Sequence, residues 1–225
     1  MIRSLKTAAS GMEAQQLTID VIANNMANVN TTGFKKSRAE FQDLFYQEIR
    51  AASGPDETRA QGAPNSLEVG QGTRPVGTQR IFQMGDLVNT GNPLDLAIEG
   101  HGFFRIQMPD GQFSYSRSGM FKLNADGQIV TGEGRPLDPA VFVPQETIAV
   151  TIEQDGTIKA LQPGETEAIE VGRIQLSQFV NPGGLKAMGH GLFQETEASG
   201  RPIEGLPSEE GFGGIGQGML ESSNV

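Results

Sequence analysis

The chain has 225 residues, enough to bury a core as one domain of moderate size or as two small ones. It contains no cysteine, which excludes disulfides, zinc–thiolate sites and cysteine nucleophiles. The formal net charge is −10, and after residue 50 there are 11 basic against 22 acidic residues, a body that repels phosphate backbones and argues against a nucleic-acid partner.

The first predicted element is a helix. Ile2, Leu5, Ala9, Met12, Gln16, Ile19, Ala23 and Met26 follow alternating spacings of three and four, and all but Gln16 are apolar. That is a coiled-coil seam about four heptads long, which one helix cannot satisfy by itself. The segment begins like a signal peptide. Glu13, Gln15, Gln16 and Asp20 interrupt any apolar run, so it predicts neither a cleavable export signal nor a membrane anchor. The helix is expected to stop near Thr31-Thr32-Gly33, with Gly33 in the left-handed conformation and Phe34 supplying the flanking contact. Asn24, Asn25, Asn28 and Asn30 crowd its end. Asparagine is a poor helix former, so they predict either a frayed terminus or a hydrogen-bonding row that sets register with a neighbouring helix. Lys35, Lys36 and Arg38 follow, placed to complement the helix dipole or to meet an acidic face of a neighbour.

The rest of the sequence offers the seam no partner. Phe41, Leu44, Phe45 and Ile49 suit a helical turn or two, which is too short. Residues 51–66 have the Gly, Pro, Ser and charged composition of an extended linker. From about residue 67 the pattern turns to strands, expected at 76–82, 94–98, 103–108, 113–116, 120–123, 128–131, 148–153, 157–161 and 169–179. Asp110-Gly111, Asp126-Gly127 and Asp155-Gly156 sit between successive strands and predict tight antiparallel hairpins. Residues 181–218 read as loop, and a last short strand is expected near 218–222. The fold class that follows is mainly β, with an antiparallel β-rich domain, an extended connector and a long amphipathic N-terminal α-helix.

Chemistry is sparse. His101 and His190 each lie between two glycines, without an acidic or nucleophilic neighbour at ligand spacing, and read as turn residues. Residues 211–216 match GxGxxG, but only nine residues follow, too few for the helix that a dinucleotide site requires. Asn30-Thr31-Thr32 fits a glycosylation sequon at a helix end and is read as coincidence. Glu195, Glu197, Glu204, Glu209 and Glu210 read as a solvated acidic loop, with an acid/base pair as the less favoured alternative. No catalytic residue, cofactor or metal ligand is expected.

Residues 23–35 resemble the signature of the flagellar basal-body rod and hook family, in Ala23, Asn24, Asn25, Ala27, Asn28, Thr32, Gly33, Phe34 and Lys35. Upstream, residues 10–16 and Asp20-Val21-Ile22 extend the likeness. Residues 41–50, 70–76, 97–104 and 221–225 are similar to its distal-rod branch in particular. The resemblance implies an assembly helix at 1–33, a connector at 34–75 that braces neighbours, a β-rich outer domain at 76–217 and a return strand at 218–225. In the family that strand leads into a second long helix that packs with the first. This chain stops at Val225, so a shortened form is expected.

The implied role is a structural, non-enzymatic subunit that polymerises helically into a hollow, torque-transmitting rod in the periplasm. The implied partners are copies of itself, other rod subunits, hook subunits, the surrounding basal-body rings and the type III export apparatus, with no membrane insertion. The alternatives are a hook or proximal-rod subunit, a secreted β-domain binding protein and a hydrolase using surface carboxylates.

Overall fold

The computed structural model describes residues 2–52, 65–165, 167–209 and 211–225. The core of the linker at 51–66, together with Met1 and Glu210, lies outside the described residues. The chain divides into two compact units, Met1–Asn25 with Ser37–Arg80, and Met26–Lys36 with Ile81–Val225.

In the first unit, α1 begins at Ile2 and the whole helix runs Ile2–Ala27. Among the described residues four strands follow: β1 (Ser37–Asp43), β2 (Tyr46–Arg50), β3 (Leu67–Gly70) and β4 (Thr73–Arg80). β1 pairs antiparallel with β4, and β2 with β3, in one continuing ribbon. The helical turns considered for Phe41, Leu44, Phe45 and Ile49 are therefore not formed. Cross-strand pairing of long, β-compatible side chains outweighs a helix too short to nucleate. β4 runs through residue 76, where the sequence placed the end of a connector.

Sixteen strands build the second unit. They are β5 (Leu87–Asn89), β6 (Leu96–Glu99), β7 (Phe103–Gln107), β8 (Phe113–Ser116), β9 (Phe121–Leu123), β10 (Ile129–Thr131), β11 (Leu137–Asp138) and β12 (Ala149–Ile152), then β13 (Thr157–Leu161), β14 (Ile169–Arg173), β15 (Leu176–Gln178), β16 (Lys186–Gly189), β17 (Leu192–Gln194), β18 (Ile203–Gly205), β19 (Gly214–Gln217) and β20 (Met219–Glu221). The largest sheet has seven strands, in the order β16-β17-β8-β7-β15-β18 with β11 also on β7. A three-stranded sheet, β12-β13-β14, and the pairs β9–β10, β6–β19 and β5–β20 complete the unit, and every recorded pairing is antiparallel.

The Asp-Gly hairpins form at all three places, but the turn differs from expectation. In each, only the glycine is left-handed: Gly111 and Gly127 have φ 79° and Gly156 φ 82°. The loop closes with a bond from that glycine's amide to the residue three before it, such as Gly111 to Met108 at 3.0 Å. These are type I turns closed by a glycine bulge, so the aspartate keeps an ordinary backbone. The two-residue link with both residues left-handed occurs elsewhere, at His190 (φ 54°) and Gly191 (φ 72°) between β16 and β17.

Two further expectations are corrected. The strand expected at 169–179 is two strands in different sheets, because the chain changes sheet at Ile174, which is wholly buried. Residues 181–218 are not simply loop and hold β16, β17, β18 and β19. The glycines that suggested loop allow close strand approach. A Cβ on Gly213 would stand 2.6 Å from the Glu99 carbonyl oxygen.

The seven-stranded sheet is covered on both faces. Phe104 and Ile106 of β7 join the main core with Leu96, Ile129, Ile158 and Leu176. Phe103, one residue away, points to the opposite face and packs edge-on with Phe82 and Phe179, at 5.4 and 5.8 Å between ring centroids. Tyr115 completes that second cluster. Burial first, and then the Glu195 charge, push its phenol up to about 12. A phenol that keeps its proton longer when folded leaves stability intact below about pH 10 and erodes it toward pH 12. Tyr115→Phe is expected to remove about 2–3 kcal/mol of that alkaline loss. Urea titrations of both proteins at pH 8 and pH 11.5 would show it, and parallel pH profiles would contradict it.

Candidate functional site

The helix α1 has two distinct faces. Thr7, Ser10, Gly11, Ala14, Leu17, Thr18, Val21 and Asn25 recur at three- and four-residue spacing and are half-buried or buried. Two of them bond to the ribbon of the same unit. The Ser10 hydroxyl accepts from the Thr73 amide at 3.4 Å. The Asn25 amide group donates to the Ser37 carbonyl at 2.8 Å, and its carbonyl accepts from the Ser37 amide at 2.9 Å. Asn25 thus copies a strand partner at the start of β1 and is already engaged within its own chain. Asn28 accepts from the Thr31 hydroxyl at 3.2 Å.

The seam occupies the other face. Ile2, Leu5, Ala9, Met12, Gln16, Ile19, Ala23 and Met26 are all exposed, and its five large apolar side chains are 63–75% accessible. Together they form a continuous exposed apolar row along the helix. Among the described residues no helix is long and apolar enough to cross a membrane.

The helix ends at Ala27, earlier than expected, and dissolves into turns closed by Val29 to Met26 and Thr31 to Asn28 bonds. Gly33 is left-handed as expected, at φ 69°, but it caps no helix. Its amide donates to the Glu221 carbonyl at 2.8 Å. A Cβ there would stand 2.7 Å from the Ser118 amide nitrogen, so only glycine fits.

Lys35 is the larger surprise. It neither complements the helix dipole nor reaches outward. It is 1% exposed, and its ammonium is paired with the fully buried Glu221. Lys35 also donates to the Gln83 carbonyl at 2.6 Å. The second Glu221 oxygen accepts from Arg117 Nε at 2.9 Å. Arg117 then donates to the carbonyls of Gly100 and Gly102 at 2.9 and 2.7 Å. The Gly85 amide closes the cluster on Glu221 Oε1 at 2.9 Å. Two cations share one carboxylate, and backbone carbonyls take up the remaining donors. Burial lowers the pKa of Lys35, with Glu221 working against that shift. Every polar atom is aimed at a fixed partner, so the arrangement ties chain segments together and presents no free acid, base or nucleophile.

The other sequence candidates lie apart from this cluster. His190 sits in the β16–β17 turn with Nδ1 2.6 Å from Glu133 Oε1. His101 lies in the loop between β6 and β7 and accepts from the Gly213 amide through its carbonyl at 2.8 Å. The GxGxxG stretch runs into β19 and is followed by β20, a strand. Glu204 pairs with Arg105, which also pairs with Asp138.

Comparison with known proteins gives these features a context. Residues 5–35 match the family described as flagella basal body rod protein, and residues 97–160 match the flagellar hook protein FlgE/F/G D1 domain. The chain is therefore of the flagellar rod and hook class, a class of structural proteins. Its whole length is 47% identical to the flagellar basal-body rod protein FlgG of Borreliella burgdorferi, covering 85% of that protein. It is 44% identical to FlgG of Caulobacter vibrioides and 37% identical to FlgG of Bacillus subtilis, covering 86% of each. Likeness to the hook protein FlgE of Helicobacter mustelae, at 44%, spans only 60% of the chain and 30% of that protein. The chain belongs to the FlgG family, the structural subunits of the distal rod.

Proposed function

We propose that this chain polymerises through the exposed seam of α1 into a helically stacked, hollow shaft that transmits torque across the periplasm. The observation that carries the reading is the division of α1 into two faces, one engaged by its own chain and one left apolar and open. Head-to-tail contacts that do not close into a ring generate such a shaft. In this reading residues 1–33 are the assembly element, 34–75 the connector, 76–217 the outer domain and 218–225 its return strand. The partners are further copies of the chain, other rod subunits, hook subunits and the surrounding rings. Delivery is by the flagellar export apparatus without a cleaved signal.

The two-stranded ribbon supports the same reading. Phe45, Tyr46, Ile49, Leu67 and Val69 are all exposed along β2–β3, and a ribbon open on both sides gains stability from a covering surface. Deleting residues 2–30 is expected to abolish incorporation of the secreted chain into rods. Rods of normal length built from the deleted chain would end the proposal.

A further inference from the structure

The segment that follows α1 is held in the second unit by two residues far along the chain. Glu221 binds it through its backbone carbonyl to the Gly33 amide at 2.8 Å and through its carboxylate to Lys35. Asn224 binds it through its side-chain carbonyl, which accepts from the Lys36 amide at 2.8 Å. The same two side chains grip the irregular segment that follows β4. Asn224 donates to the carbonyls of Ile81 and Gln83 at 2.9 and 3.1 Å, and Glu221 accepts from the Gly85 amide. Residues 33–36 therefore have most of their polar anchors on residues 221–224, the end of β20 and the segment after it.

We infer that Glu221 and Asn224 form a clasp that closes over residues 33–36, so that this segment is ordered only once the clasp is in place. The two sides of the clasp are 186 residues apart at the Lys35–Glu221 pair. A chain that emerges from its N-terminus exposes Lys35 long before its counterion exists. Until then a lysine in this position has no reason to leave water, since burying it unpaired is costly. The clasp also contains one weak point. The Ser223 hydroxyl is buried with no hydrogen-bond partner among the described residues, so local opening there regains hydration. Resting on the assembly role proposed above, the clasp delays the ordering of residues 33–36 until residues 221–224 are present, so that a chain lacking them does not order this segment early.

Hydrogen exchange on the isolated full chain tests this, with Asn224→Ala and Glu221→Gln. In both variants the Gly33 and Lys36 amides are expected to exchange at least ~100-fold faster than in the parent, while the amides of β7 and β8 keep their protection. Parent-like protection at Gly33 and Lys36 would overturn the clasp. Loss of protection there only together with β7 and β8 would also overturn it, because it would mean one cooperative unit. Should Glu221→Gln fail to fold, Asn224→Ala decides alone, since it leaves the ion cluster intact. The readout is taken on the monomer, so it stands independently of whether α1 is the polymer contact.

Discussion

Glu221→Leu is expected to lower folding stability by about 3–5 kcal/mol. The substitution keeps roughly the size of the side chain and removes its charge. It removes the carboxylate that Lys35 and Arg117 share, and leaves two buried cations without that counter-charge. It also removes the acceptor of the Gly85 amide. Urea unfolding would show a shifted midpoint with an unchanged slope. Adding Lys35→Met to Glu221→Leu should recover part of the loss, because one of the two stranded charges disappears with it. A single variant as stable as the parent would show that the cluster contributes nothing.

The second large effect concerns assembly and spares the monomer. Met12 and Ile19 are exposed in the chain, so changing both to glutamate should alter monomer stability by no more than about 0.5 kcal/mol each. Burying a methionine or isoleucine side chain contributes about 1.5–3 kcal/mol, so losing two from each contact weakens association by roughly 10²–10⁴-fold. The penalty of burying a carboxylate adds to that. Subunit association, read by sedimentation or by rod length in cells, should therefore collapse while urea unfolding of the monomer stays put. Rods of normal length with this double variant would remove the seam from the contact.

Local rules carried the reading of the sequence a long way. The three Asp-Gly pairs marked three true hairpins, and the strands at Phe113–Ser116 and Thr157–Leu161 fell where alternation and turn residues put them. The single N-terminal helix was equally plain from its spacing. The failures have a common physical origin in long-range pairing. β16 to β19 are short and lie among glycines, and glycine signals a loop unless the close neighbour that needs it is known. β1 and β2 are strands because β4 and β3 pair with them, not because of their own composition.

The candidate site divides in the same way. The exposed apolar row of α1 was legible because helical periodicity is a local property of residues 2–26. The ion cluster was not, because nothing in the sequence near Lys35 points to Glu221 or to Arg117. The faint signal that existed was a charged residue following Met219 and Leu220 in an otherwise apolar short strand. Asn25 shows a mixed case. Its polarity at a helix end was visible, but its partner Ser37 depends on the return of the chain beside α1.

The absence of cysteine makes the central claim directly measurable. Single-cysteine variants Met12→Cys and Ile19→Cys can be labelled with a maleimide in the monomer and again in assembled rods. The account predicts rapid labelling of both in the monomer and protection of both in the rod. Equal labelling in the two states would contradict it, because the open face of α1 would then remain open in the polymer.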